Sequence, residues 1–129
     1  MLADSALCVL KIDGVEYNSV ESFYYISLFA NIEEPLCRLA VKHLTNAQSW
    51  EFPIFTRLWK RQIEGTQAWE TVCFRETNKQ WKQDIRLKAL RIKFGKTNPG
   101  LHRNFAKSNP KNLSPLLRRV YYDKGSKTD

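Results

Sequence analysis

No stretch of this chain is apolar over the length needed to cross a bilayer. Its start, MLADSALCVL, lacks a basic segment and is interrupted by Asp4, so no signal peptide is expected. Cysteine is scarce: Cys8, Cys37 and Cys73 are odd in number, far apart and without a CxxC pair, which reads as buried thiols in a reducing cytoplasm. The two histidines, His43 and His102, stand alone, and a zinc site is not expected. There is no glycine-rich phosphate loop, no nucleophile elbow and no helical metal motif, and no Ser/His/Asp or Cys/His set has a recognisable context. These absences set aside the common nucleotide-hydrolase, α/β-hydrolase and zinc-enzyme classes. Repeats and low-complexity segments are missing as well.

What is present is an ordinary globular composition, 43% hydrophobic and 26% charged over 129 residues. That length suits one domain with its own core, expected over residues 1–122 with a flexible tail at 123–129. The net charge of +8 is spread unevenly. Residues 1–78 hold seven Lys/Arg against ten Asp/Glu, whereas residues 79–129 hold fourteen against three. A basic half of this kind suits a polyanionic partner, either nucleic acid, a nucleotide or an acidic protein; solvated helix faces are the alternative.

Local patterns predict a mainly helical α+β fold with a small β element near the N-terminus. Residues 7–17 alternate around Asp13-Gly14, the signature of a tight hairpin. A buried helix is expected from about 19 to 30. A second starts at Pro35, with Leu36, Leu39, Ala40, His43 and Leu44 on its inner stripe and His43 as a satisfied core histidine. A third starts at Pro53, with Ile54, Phe55, Leu58, Trp59 and Ile63 inward and Gly65 at its end. Residues 66–76 fit strand and helix equally well. Asn78 caps a long helix to Phe94, stopped by Gly95; Asn98-Pro99 opens a short helix, and Ser114-Pro115 a last turn. Most of the four tryptophans are expected in the core.

The run Asp13 to Tyr25, DGVEYNSVESFYY, carries most of the functional information. Asn18 stands three residues before Glu21, the spacing of a capping box. The same run resembles the DGxxYxSVEHYY segment of the NADAR (YbiA-like) N-glycosidase family. Leu90 to Phe94 with Asn98 to Leu101 resembles that family's later helix end, and Ser108 falls where the family has a threonine. The resemblance spans most of residues 2–113 and implies a YbiA-like domain that cleaves the ribosyl–base bond of a nucleotide or ADP-ribosyl substrate, without a cofactor. Breaking that bond builds oxocarbenium character on the ribose, which a carboxylate can stabilise while aromatic rings stack on the base.

By that resemblance Glu21 is the catalytic carboxylate, Tyr17 and Tyr24 line the substrate site and Lys82 falls on a basic position of the long helix; Trp81, about one turn beyond the place of the family's Asp-Trp at Thr77-Asn78, is the tryptophan expected to stack on the substrate. The sequence also departs from the family: Ser22, Tyr25 and Leu28 stand where it has His, Gln and Lys. A catalytically inactive relative is therefore a second reading. It would bind a nucleotide, nucleic acid or a host protein through Lys79, Arg86, Lys93, Lys96, Arg103 and Lys107. A third is a small interaction protein of a phage or mobile element, acting in the host cytoplasm. No membrane partner is expected.

Overall fold

The computed structural model describes residues 2–96 and 98–123. It is a mainly helical α+β structure, with seven α-helices and one antiparallel strand pair among those residues. None of the helices is long and apolar enough to cross a membrane. The chain forms two compact units, one from the residues up to Val20 and from Arg86 onward, the other from Glu21–Ile85.

In the first unit, β1 (Leu10–Ile12) pairs with β2 (Val15–Tyr17), with Leu10 opposite Tyr17 and Ile12 opposite Val15. The Asp13-Gly14 turn expected between them is formed with both residues at positive φ, 51° and 80°. That is the primed turn whose twist matches a hairpin, and Asp and Gly are among the residues that tolerate it. Leu10 and Ile12 point inward. The second half of this unit uses α5 (Lys79–Lys93), α6 (Pro99–Ala106) and α7 (Pro115–Asp123). Leu87, Leu90 and Phe94 are buried here, and the ring of Phe94 stacks on Phe105 at 4.3 Å between centroids. The Asn98 side chain ties two segments together, its Nδ2 donating to the carbonyls of Val9 at 2.9 Å and Ile92 at 3.2 Å. The last helix is longer than the single turn expected: it runs through Asp123, whose carboxylate accepts from Arg91 at 2.6 Å. The tail expected to be flexible lies, beyond Asp123, outside the described residues.

The second unit holds α1 (Val20–Phe29), α2 (Pro35–Thr45), α3 (Phe52–Gln62), α4 (Gln67–Thr77) and the start of α5. In the ambiguous stretch 66–76 the helix begins at Gln67, with Thr66 as its extended cap residue. Proline at the first position of α2, positive φ at Gly65 after α3 and the Asn78 Oδ1 acceptor for Trp81 N at 2.8 Å match the expected boundaries.

The faces of these helices differ from expectation more than their ends do. On α2 the buried set is Cys37, Ala40 and Leu44, leaving Leu39 half-exposed. His43 is on the surface rather than in the core, where its Nδ1 accepts from Trp59 Nε1 at 2.9 Å. On α3 the inward residues are Phe52 and Thr56, with Ile63 just past its end, and Ile54 and Leu58 face outward. None of the four tryptophans is buried; Trp50 is 69% exposed. The inward arc of α3, through Phe52 and Thr56, is turned by roughly a third of a helical turn from the one that Ile54, Phe55, Leu58 and Trp59 suggest. Of the three cysteines, all free, only Cys37 is buried.

Candidate functional site

Glu21, Tyr24, Tyr25 and Leu28 recur at the three- and four-residue spacing that places them on one side of α1. Glu21 is half-buried and its Oε1 accepts from Ser49 Oγ at 2.5 Å. The capping box expected between Asn18 and Glu21 is out of register: α1 opens at Val20, so Ser19 takes the cap position and Glu21 the second helical residue. The carboxylate is thereby turned toward the 3-10 turn Ser49–Glu51 instead of back to the helix start.

Tyr25 stacks on Phe52 at 5.2 Å and packs edge-on against Tyr24 at 4.9 Å. Tyr24 lies 6.2 Å from Trp81, and the guanidinium of Arg75 sits 5.7 Å from the Trp81 ring. Arg75 Nη1 also donates to the carbonyls of Ser27, Leu28 and Ala30 at the end of α1, at 2.8, 3.2 and 2.8 Å. Glu76, one residue on, is ion-paired with Lys60. Leu28, where the resemblance expects a lysine, is fully buried. The floor of this face is therefore apolar, and its polar groups are Glu21, Ser49, the two tyrosine hydroxyls and the Lys60–Glu76 pair.

Burial pushes the Tyr24 hydroxyl from its ordinary 10.0 up to about 12, with Tyr25 and then Glu76 adding to the effect. Tyr25 is raised by burial first, then by Glu21 and Glu76. Both phenols thus favour the neutral, donating form beside two carboxylates. Because the folded value of Tyr24 lies above the unfolded one, its contribution to stability is intact below pH 10.0 and is lost as pH rises through about 12. A base titration followed by phenolate absorbance should show a late ionisation coincident with unfolding. Tyr24→Phe should remove that late step; an unchanged titration curve would exclude Tyr24 as its source.

Among the residues expected to bind substrate, Glu21, Tyr24, Trp81 and Lys82 fall in the second unit, with Lys82 half-exposed on the first turns of α5. Tyr17 belongs to the first unit, on β2, where burial and then Asp13 raise its hydroxyl. The basic set is divided. Lys79, in the second unit, and Lys96, Arg103 and Lys107, in the first, are exposed. Arg86 is already paired with Asp4, at 2.8 Å from Nε to Oδ2.

Lys93 overturns the expectation outright: it is fully buried, its Nζ donating to the Ala3 carbonyl at 2.9 Å and lying 5.2 Å from the Phe94 ring. Lys93 follows Ala89 and Leu90 by four and three residues, which places it on the buried side of α5. Burial pushes its ammonium pKa down, against the opposing pull of Cys8 and Asp4. Such a cation is a structural tether rather than a ligand contact.

Sequence reasoning missed Ser49, Lys60, Arg75 and Glu76. Each acts across at least sixteen residues of chain, beyond the reach of local spacing. Among the described residues no group of three or more His, Cys, Asp or Glu is arranged to hold a metal ion. No protein-family model, curated protein or solved structure matches this chain.

Proposed function

We propose that the chain is a divergent member of the NADAR (YbiA-like) family that hydrolyses the ribosyl–base bond of a nucleotide or ADP-ribosyl substrate at the Glu21 face. The observation that carries this reading is the placement of Glu21: a half-buried carboxylate held by Ser49 Oγ, on the helix face that also bears Tyr24 and Tyr25. As the C1′–N bond breaks, its electron pair leaves with the base and positive charge builds on the ribose. The Glu21 carboxylate stabilises that charge and orients a water, whose hydroxyl joins C1′ and whose proton goes to the departing base. Tyr24 and Trp81 offer rings for the base, and Lys82 a cation for phosphate.

The test is chromatographic detection of free base after incubation with an ADP-ribosylated guanine oligonucleotide and, separately, with ribosylamino nucleotides. Glu21→Gln keeps an acceptor for Ser49 but removes the charge, and should lower release by about 10²-fold or more. Release by the variant at the wild-type rate, or none by the wild type, would sink the reading.

Binding without turnover is the second reading, supported by the distribution of charge. From Arg86 to Asp123 the sequence holds ten Lys/Arg and one acidic residue, Asp123 itself, and Lys96, Arg103 and Lys107 are exposed. Binding of that kind would weaken steeply with salt and be indifferent to Glu21→Gln.

A further inference from the structure

The cations of the first unit fall into two groups. Arg86, Lys88 and Arg91 pair with Asp4, Asp13 and Asp123, and Lys93 is buried on the Ala3 carbonyl, so these four are internal ties. Beyond them, residues 94–122 hold six Lys/Arg and no Asp or Glu. Those six, Lys96, Arg103, Lys107, Lys111, Arg118 and Arg119, are all exposed, and none is in an ion pair among the described residues. Uncompensated like charges repel one another, and a bound polyanion relieves that repulsion.

Helix α7 adds an aromatic ring to this charge. Tyr122 is 65% exposed and, between Arg86 and Asp123, is the one large hydrophobic side chain exposed among the described residues. It ends a ladder of rings: Phe94 stacks on Phe105 at 4.3 Å, Phe105 meets Tyr121 edge-on at 5.8 Å, and Tyr121 meets Tyr122 edge-on at 5.4 Å. The surface ring is thus backed by the buried Phe94 and Phe105. Arg118 and Arg119 precede Tyr122 by four and three residues, which places all three on one side of α7. Arg118 is fixed there. Its Nε donates to the Pro110 carbonyl at 3.1 Å and its Nη2 to the Leu113 carbonyl at 3.0 Å, which ties the 3-10 turn Pro110–Asn112, and with it Lys111, to α7.

We propose that this side of α7 binds single-stranded nucleic acid, with a base stacked on Tyr122 and the flanking phosphates met by Lys111, Arg118 and Arg119. The inference rests on the binding reading given above and names its partner; it needs nothing from Glu21. A single strand alternates base and phosphate, and a fixed ring with cations one turn away answers both. In a duplex the base faces are covered by their neighbours, which leaves the ring without a role. A protein interface is built around an apolar core and a membrane-surface helix around an apolar face, whereas nucleic-acid interfaces are polar and strongly cationic. Here Val120 is buried, Leu116 and Leu117 are half-buried, and α7 offers one ring among cations.

The probes are fluorescein-labelled oligothymidylate and oligouridylate of about 12 nucleotides, read by anisotropy against the full chain. For at least one of them a Kd of about 10 µM or tighter is expected at low salt. Neutralising three phosphates of a single strand gives a log–log salt slope of about −2. Tyr122→Ala should weaken binding about ten-fold at an unchanged slope, whereas Tyr122→Phe, which keeps the ring, should bind like wild type. Lys111→Gln/Arg119→Gln should weaken binding and bring the slope close to −1, as two of the three phosphate contacts are lost. Arg118 is left in place because it ties α7 to the turn. Circular dichroism and thermal midpoints identify folded variants, and Tyr122→Leu, which has bulk but no aromatic face, serves if Tyr122→Ala does not fold. Four results would overturn the stacking site and leave the charge-based binding reading standing: binding indifferent to loss of the ring, equally tight binding of a duplex, equally tight binding of an oligoglutamate of the same charge, or binding to phosphatidylserine vesicles but not to the oligonucleotides. The absence of salt-sensitive binding to any of these anions would overturn both.

Discussion

Replacing Phe105 by alanine is expected to lower the unfolding free energy by about 4 kcal/mol. The side chain is fully buried, stacked on Phe94 and met edge-on by Tyr121 at 5.8 Å. Its removal takes away a large transfer contribution, both aromatic contacts and the filling of the space between α6 and its neighbours. Single domains of this size are stable by only about 5–15 kcal/mol, so the loss would consume a large share of the total. Urea unfolding should show a lower midpoint with an unchanged slope. Phe105→Leu, which retains most of the volume, should lose less. Equal losses for the two variants would mean that the aromatic stacking, not the filled volume, sets the cost.

The second large effect belongs to Arg75. Arg75→Met should cost about 3 kcal/mol, because three carbonyls at the end of α1 lose one charged donor. The last carbonyls of a helix have no partner within it, and a cation there also meets the negative end of the helix dipole. Asn31 ends α1 with φ of 59°, a conformation asparagine tolerates better than most residues, so the chain turns away and Arg75 must supply the bonds. Arg75→Lys should recover only part of the loss, since one ammonium cannot reproduce the planar fork over Trp81. Denaturation measures the stability, and the fluorescence of Trp81 reports the stack. If Arg75→Met left the midpoint unmoved, the three carbonyls would have to be satisfied by water.

The boundaries of the elements were largely legible in the residues. Asp13-Gly14, Pro35, Gly65, Asn78 and Pro99 each impose a local conformation, and each marks an element end in the structure. The phase of the helices was less legible. Lys93, Ile54 and Leu58 were assigned by residue type, whereas burial follows the angular position set by neighbours. A lysine with a carbonyl acceptor can occupy a buried position, and on α3 a leucine, Leu58, stays outside while a threonine, Thr56, is buried. In the candidate site, Glu21 and Tyr24 were found from one local run. Their supports, Ser49 and Glu76, come from distant segments, and pairwise contacts of that range leave no periodic trace in a single sequence.

The Asn98 amide has a consequence for the chemical ageing of the protein. Asparagine side chains are lost chiefly when the next backbone nitrogen attacks the amide carbon to close an imide ring. Here the next residue is Pro99, whose nitrogen carries no hydrogen and is already fully substituted. The attack is closed off at the one asparagine whose Nδ2 faces both the Val9 and Ile92 carbonyls. Conversion to aspartate would set a carboxylate against two carbonyl oxygens with no proton between them. The residue following Asn98 thus closes the imide route to deamidation at this junction as well as opening the next helix.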